Sequence, residues 1–235
     1  MINFLFDVDG TLTEARKSID NDFRIFFGEW VTRTRASGNR VFLVTGSDKP
    51  KTVEQIGVPL YRNVNGCYQS CGNEFFIRNQ LIKKSDWKMS EEIREDIMSI
   101  VKKSKWYGKA EQNIEERVGM ANLSTVGRTA DNALRREYYN WDKHSSERLD
   151  IVHVLSEKYP ELDFAIGGEI SVDFYPKGKD KSQVISDMKW GANIFFGDRC
   201  QEGGNDHSIA MASDIYYNVD GWQETKAIIE KRYEV

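Results

Sequence analysis

The segment INFLFDVDGTLT, residues 2–13, predicts how this chain folds. Its first five residues are mostly apolar, which is typical of a buried strand in a parallel sheet, and Asp7 follows directly. Open α/β sheets keep their ligand sites at the carboxyl ends of their strands. The segment therefore predicts a first strand that delivers a carboxylate to a functional site.

A second carboxylate, Asp9, is expected to point the same way as Asp7, because side chains along a strand alternate with a period of two. Two like charges this close cost free energy unless a cation or a shared proton compensates them. Hard cations such as Mg²⁺ prefer carboxylate oxygens, and an aspartate can also become phosphorylated as a nucleophile. An isolated Asp-x-Asp-Gly segment is more often an ordinary turn, so the function of this segment has to be judged from the motifs that follow it.

Composition narrows the class of protein. The chain has 235 residues, 40% hydrophobic and 30% charged, as in ordinary globular proteins. Its net charge of −4 does not indicate the basic surface that binds nucleic acid or an anionic membrane. No apolar stretch approaches the roughly 18 residues that cross a bilayer, and Asp7 comes too early for a signal peptide. We therefore expect a cytoplasmic protein with neither a nucleic-acid nor a membrane partner.

Two further apolar segments, residues 40–44 and 192–196, are predicted as parallel strands. The first ends in Thr45-Gly46-Ser47 and the second in Gly197-Asp198, while Lys181 opens a helix before the second. The carboxyl ends of neighbouring parallel strands meet at one edge of the sheet. We expect these groups to share a crevice with the carboxylates of the first strand.

The chemistry expected in that crevice is phosphoryl transfer. The predicted Mg²⁺ ligands are Asp7, the backbone carbonyl of Asp9, and Asp198. Lys181 would neutralise charge on the nucleophile and on the transferring phosphate, and either Thr45 or Ser47 would donate a hydrogen bond to a phosphoryl oxygen. The residue types leave open which of the two hydroxyls does so.

The pattern of apolar and polar residues changes near residue 80, where predicted amphipathic helices begin to alternate with predicted strands. Residues 113–124 are predicted as one of these strands. The pattern favours a separate small domain over residues 80–177, with the core formed by residues 1–79 and 178–235.

One hairpin of this insert has two chemically different faces. Gly167-Gly168 is a typical tight-turn signal, and the strand after it alternates apolar and polar residues. Strand periodicity puts Ser171 and Asp173 on one face together, away from the apolar side chains. The predicted insert thus presents a polar face suited to hydroxyl groups.

The ordered motifs resemble those of the haloacid dehalogenase (HAD) superfamily, and within it the chain is similar to the eukaryotic-type phosphomannomutase family over nearly its whole length. The segments that carry the resemblance are DVDGT (7–11), TGS (45–47), RVGMANLSTVGR (117–128), GGEISVD (167–173), GKDK (178–181), FFGD (195–198) and GGNDH (203–207). It implies an α/β fold, a Rossmann-like HAD core with a parallel sheet plus an inserted α+β cap domain.

The resemblance also implies roles for individual residues. By it, Asp7 is the nucleophile and Asp9 the general acid/base. The positions that match the sugar-phosphate site of that family are Arg16, Arg117, Arg128, Arg135, Ser171 and Asp173. Physical chemistry agrees: a lone arginine is usually a solvated surface charge, but three between positions 117 and 135 of an acidic chain suit bidentate binding of a phosphate that does not react.

The expected activity is interconversion of mannose 6-phosphate and mannose 1-phosphate through an aspartyl-phosphate, for GDP-mannose supply. The resemblance implies Mg²⁺, a hexose 1,6-bisphosphate as activator, and a homodimer formed through the cap. A sugar-phosphate phosphatase on the same scaffold is the alternative. The preference for mannose over glucose depends on the place of one hydroxyl and stays open.

Overall fold

The computed structural model describes residues 1–234 and forms two compact units. The core unit consists of residues 1–84 and the residues from Lys179 onward, and the inserted unit is Ser85–Gly178. The sequence predicts the boundaries of the insert after residues 79 and 177. In the structure they lie after residues 84 and 178.

Eleven strands and eight α-helices are described. The strands are β1 (Ile2–Phe6), β2 (Arg40–Val44), β3 (Gly66–Gln69), β4 (Glu74–Ile77), β5 (Gln80–Lys84), β6 (Ile114–Arg117), β7 (Met120–Leu123), β8 (Leu162–Gly167), β9 (Ser171–Pro176), β10 (Ala192–Gly197) and β11 (Ile215–Asn218). The helices are α1 (Asn21–Ala36), α2 (Lys49–Ile56), α3 (Val58–Asn63), α4 (Glu91–Lys103), α5 (Asn132–Ser145), α6 (Glu147–Lys158), α7 (His207–Ala212) and α8 (Trp222–Arg232). A short 3₁₀ helix covers Lys181–Asp187.

The sheet of the core unit has seven strands in the order β11-β10-β1-β2-β3-β4-β5. The strands from β11 to β3 are parallel, and β4 and β5 continue the sheet antiparallel. In the register of the centre, Phe6 of β1 lies opposite Leu43 of β2 and Phe196 of β10. The predicted parallel sheet is confirmed, and the residues after these three strands leave it at the same edge.

An aromatic core holds β1 in place from one side. Helix α1 begins after Asp20, whose carboxylate caps its first backbone N–H groups, and its Phe27 and Trp30 are buried. The ring of Phe6 lies 5.1 Å from that of Phe27 and 5.8 Å from that of Trp30, both edge-on, and stacks at 4.6 Å on Phe196. This packing fixes the strand whose end carries Asp7.

The inserted unit contains an antiparallel sheet in the order β6-β7-β9-β8. Apolar side chains of α4 and α6 pack with those of β7 and β9, including Val172 and Phe174. The predicted single strand over residues 113–124 is wrong: β6 and β7 form a hairpin that turns at Val118-Gly119. Gly119 takes a φ of +69°, the left-handed conformation that such a turn requires.

Among residues 1–234, the helices are all too short or too polar to span a lipid bilayer.

Replacing Phe27 by Ala should lower the free energy of unfolding of the core unit by about 3–5 kcal/mol, because a fully buried ring is lost and a cavity remains. Ile25→Ala, on the same helix with 55% of the residue exposed, should cost less than about 0.5 kcal/mol. Urea denaturation followed by circular dichroism measures both. Equal losses for the two variants would contradict the assigned core.

Candidate active site

A buried ammonium group lies at the centre of the site. Lys181 is 1% exposed, and its Nζ donates hydrogen bonds to Asp7 Oδ1 at 2.7 Å and to Asp206 Oδ1 at 2.6 Å. Both aspartates are themselves buried. Lys181 opens the 3₁₀ helix that Asp180 caps, so its position is set by local structure as well as by its ion pairs. The sequence-predicted pair of Asp7 and Lys181 is therefore brought together.

Three carboxylates form a cluster here. Asp7, Asp198 and Asp206 each contribute an oxygen, and these oxygens all lie within 4.8 Å of one another. Hard oxygen donors at this spacing suit a small divalent cation. One ammonium group, Lys181, contacts two of the three, while Arg199 Nε lies 3.6 Å from Asp198 Oδ2. The cluster keeps an excess of negative charge, which fits a bound metal ion.

The shifts in pKa show how strongly this charge is concentrated. Burial raises the pKa of Asp7 well above its usual value, and repulsion from Asp206 and Asp198 adds to this against the attraction of Lys181. Burial is the main cause that raises the pKa of Asp198 to about 6, and repulsion from Asp206 is the second. Burial alone would lower the pKa of Lys181, but attraction to Asp206 and Asp7 outweighs it and leaves the pKa raised. Lys181 is thus a permanent cation.

Two glycines make room for the carboxylates. Gly10 has a φ of +80°, and a Cβ added there would overlap the side chain of Asp198. A Cβ on Gly197 would lie 2.6 Å from Asp206 Oδ2. The glycine that follows Asp9 and the one that precedes Asp198 are therefore required by close approach of side chain to backbone.

Asp206 was missed by sequence reasoning. It lies in the GGNDH segment, but nothing in the spacing places it beside Lys181, because a loop brings it back to the sheet edge. Its backbone N–H donates to Arg199 O at 3.1 Å, which closes that loop. One feature of the sequence could have identified Asp206. It is an acidic residue that follows two glycines, directly precedes a helix, and comes shortly after Asp198.

The carboxylate of Asp9 lies outside this cluster. Its Oδ1 accepts hydrogen bonds from Gln55 Nε2 at 2.7 Å and from the backbone N–H of Arg16 at 2.6 Å, and Ser47 Oγ reaches its Oδ2 at 3.4 Å. Gln55, buried on α2, was not singled out from the sequence. The expected metal contact of Asp9 was through its backbone carbonyl, and that contact stays a prediction.

The two candidate hydroxyls differ in accessibility. Thr45 is 1% exposed, and its Oγ1 accepts a hydrogen bond from the backbone N–H of Ser47 at 3.1 Å. Ser47 is partly exposed and already contacts Asp9. Ser47 is therefore the hydroxyl that a ligand can reach, with Thr45 shaping the turn beneath it.

The inserted unit brings two of the predicted arginines together around a glutamate. Glu115 Oε1 accepts from Arg117 Nη2 at 2.9 Å, and its Oε2 accepts from Arg128 Nη2 at 2.6 Å. Arg128 Nη1 donates to Ser171 Oγ at 2.9 Å. Burial opposes ionisation of Glu115, but attraction to Arg117 and Arg128 outweighs it and lowers the pKa of the carboxyl. These groups form a mainly cationic set, the arginine group.

Arg135 and Asp173 adjoin this group. Arg135 is 6% exposed, and its guanidinium donates to the backbone carbonyls of Ala130 at 2.8 Å and Arg128 at 2.6 Å. Arg135 thereby fixes the loop that carries Arg128. Asp173 accepts a hydrogen bond from the side-chain amide of Asn122 on the neighbouring strand. Arg16, in contrast, belongs to the core unit and contacts Asp9 there.

Solved structures of low sequence identity share this fold. One, described as a HAD superfamily subclass IIB sugar phosphatase, covers 98% of this chain and 99% of its own length with a TM-score of 0.60 and 15% identity. The chain therefore has the HAD fold, a mainly parallel α/β core with an inserted cap.

Sequence comparison is more specific. The model of the eukaryotic phosphomannomutase family matches residues 29–235. A probable phosphomannomutase of Caenorhabditis elegans is 33% identical over 248 residues, covering 96% of this chain and 93% of the relative. A phosphomannomutase of Nicotiana benthamiana is 34% identical over 221 residues, covering 87% and 83%. The chain belongs to the eukaryotic phosphomannomutase family.

Gly10→Ala should weaken Mg²⁺ binding by about 10–100-fold, because the new methyl group displaces Asp198 from the carboxylate cluster. Gly38→Ala is the matched control: its φ of +79° imposes the same backbone strain, and no atom lies within 4 Å of the added Cβ. Titration calorimetry measures both affinities. Equal affinity for the two variants would show that the approach of Asp198 to Gly10 does not matter to the metal site.

Proposed function

We propose that the protein is a Mg²⁺-dependent phosphomannomutase that interconverts mannose 6-phosphate and mannose 1-phosphate, activated by a hexose 1,6-bisphosphate. One observation supports it beyond family membership. The chain has two separate sets of groups suited to phosphate, the Asp7 set with a nucleophile and the arginine group without one. A substrate with two phosphate positions needs both.

At the first set, the carboxylate of Asp7 attacks phosphorus, and the bond from phosphorus to the sugar oxygen breaks. Asp9 gives a proton to that leaving oxygen and later takes one from the acceptor hydroxyl, a contribution of about 10²–10⁴-fold for a well-placed acid/base. Lys181 holds Asp7 in position, and Ser47 donates a hydrogen bond to a phosphoryl oxygen. Mg²⁺, held by Asp7, Asp198 and the Asp9 carbonyl beside Asp206, would offset charge on the phosphoryl oxygens.

At the second set, the phosphate that does not react binds Arg117 and Arg128, whose planar guanidinium groups suit bidentate contacts. Ser171 and Asp173 are neighbouring groups that suit sugar hydroxyls. For net isomerisation, the two phosphates of the bisphosphate formed midway have to exchange roles, so that the one that did not react becomes the one that reacts. Because the arginine group can bind either phosphate of the bisphosphate, both orientations of this intermediate can react.

The resemblance to the family supports two further parts of the proposal, a homodimer formed through the inserted unit and supply of mannose 1-phosphate for GDP-mannose. The proposal also includes a cytoplasmic location, which is the expectation from the sequence alone.

Purified protein with Mg²⁺ and a catalytic amount of mannose 1,6-bisphosphate should interconvert the two mannose phosphates, as followed by ³¹P NMR. Asp7→Asn should lose at least about 10³-fold in rate with its circular dichroism unchanged, because the nucleophile is removed. Asp22→Asn, the same change at an exposed position of α1, should keep full activity. Release of inorganic phosphate faster than isomerisation would instead identify a sugar-phosphate phosphatase, and activity of Asp7→Asn would contradict the assigned nucleophile.

A further inference from the structure

Glu115 occupies the N–H groups that a phosphate would use. Its two oxygens accept hydrogen bonds from Arg117 Nε at 3.0 Å, Arg117 Nη2 at 2.9 Å and Arg128 Nη2 at 2.6 Å. The three side chains are 30%, 19% and 15% exposed for Glu115, Arg117 and Arg128. Glu115 is therefore the most exposed of the three side chains, and its carboxylate competes with an incoming anion for these N–H groups.

Glu115 is not needed to hold Arg128 in place. Ser171 Oγ accepts from Arg128 Nη1 at 2.9 Å, and Arg135 binds the backbone carbonyl of Arg128 at 2.6 Å. The backbone of Arg117 is fixed independently, by its pairing with Met120 in the β6–β7 hairpin. The distinct contribution of Glu115 is thus its charge and its use of guanidinium N–H groups.

We propose that Glu115 limits the affinity of the arginine group for a phosphate dianion, so that a sugar bisphosphate can leave this group and rebind in the opposite orientation. The inference rests on the proposed function, since only a mutase needs its intermediate to turn around.

The physical basis is competition and repulsion. Carboxylate and phosphate oxygens both accept from guanidinium N–H groups, so a phosphate that binds the N–H groups used by Glu115 has to displace its carboxylate. A carboxylate a few ångströms from a bound dianion also repels it, strongly where both are partly withdrawn from water. Binding that is tight in the ground state slows release without lowering the barrier of the chemical step.

Glu115→Gln removes the charge and keeps the shape of the side chain. Glu116→Gln is the matched control, because Glu116 is the next residue on β6, pairs with Arg94, and loses the same charge. Titration calorimetry with mannose 6-phosphate in a chelator, on the full chain, should show about tenfold tighter binding for Glu115→Gln, or about 1.4 kcal/mol. Glu116→Gln should stay within about twofold of the unchanged protein.

The location of the effect is checked by adding Arg117→Met to Glu115→Gln, which should abolish the gain in affinity. In the mutase assay, Glu115→Gln should lower both KM and kcat, whereas loss of a merely structural ion pair would raise KM. Weaker or equal binding by Glu115→Gln relative to Glu116→Gln would overturn the proposal. If Glu115→Gln does not unfold cooperatively, and so is not properly folded, Glu115→Ala replaces it in the same comparison of phosphate affinity.

The two proposals fail separately. Absence of isomerisation by the unchanged protein would remove the proposed function, while the calorimetric comparison would still measure whether Glu115 limits phosphate affinity. Normal isomerisation together with unaltered binding by Glu115→Gln would remove only the inference about Glu115.

Discussion

The ammonium group of Lys181, buried between Asp7 and Asp206, is the interaction on which the core site depends. Withdrawing any of these charges from water alone costs several kcal/mol, and their attraction at 2.7 and 2.6 Å offsets that cost only when all are in place. The contact also joins three segments that are far apart in the chain: the end of β1, the 3₁₀ helix after the insert, and the loop before α7. The position of Asp7 and the joining of these three segments therefore depend on the same contact.

The carboxylate cluster and the arginine group carry opposite excess charge. In the core unit, the three aspartates of the cluster outnumber the one lysine that they contact, which suits a cation and, through it, a phosphoryl group. In the inserted unit, Arg117, Arg128 and Arg135 outnumber Glu115, which suits an anion directly. The net charge of −4 is therefore compatible with a local anion site, because the local arrangement of charge matters more than the total.

The sequence predicted the strands that end at the site, since β1, β2 and β10 are each mostly apolar and mostly buried in a parallel sheet. Asp206 and Gln55 were not predicted for a common reason. Gln55 meets Asp9 across 46 positions, and Asp206 meets Lys181 across 25, through loop and helix returns that leave no periodic pattern. The β6–β7 hairpin was not predicted because its turn, Val118-Gly119, is only two residues long.

Unfolding of Lys181→Met in the presence of a chelator, measured against pH, tests the central claim most directly. Without the ammonium group, Asp7 and Asp206 are buried without a counter-charge, so we predict a loss of about 3–5 kcal/mol at pH 8. Burial already raises the pKa of Asp7, and without the attraction of Lys181 this carboxyl group should titrate further above its unfolded pKa. Its protonation stabilises the folded state at low pH, and that stabilisation is lost as the pH rises through the raised pKa. The deficit relative to the unchanged protein should therefore shrink toward pH 5, and a Lys181→Met protein as stable as the unchanged one across that range would contradict the account.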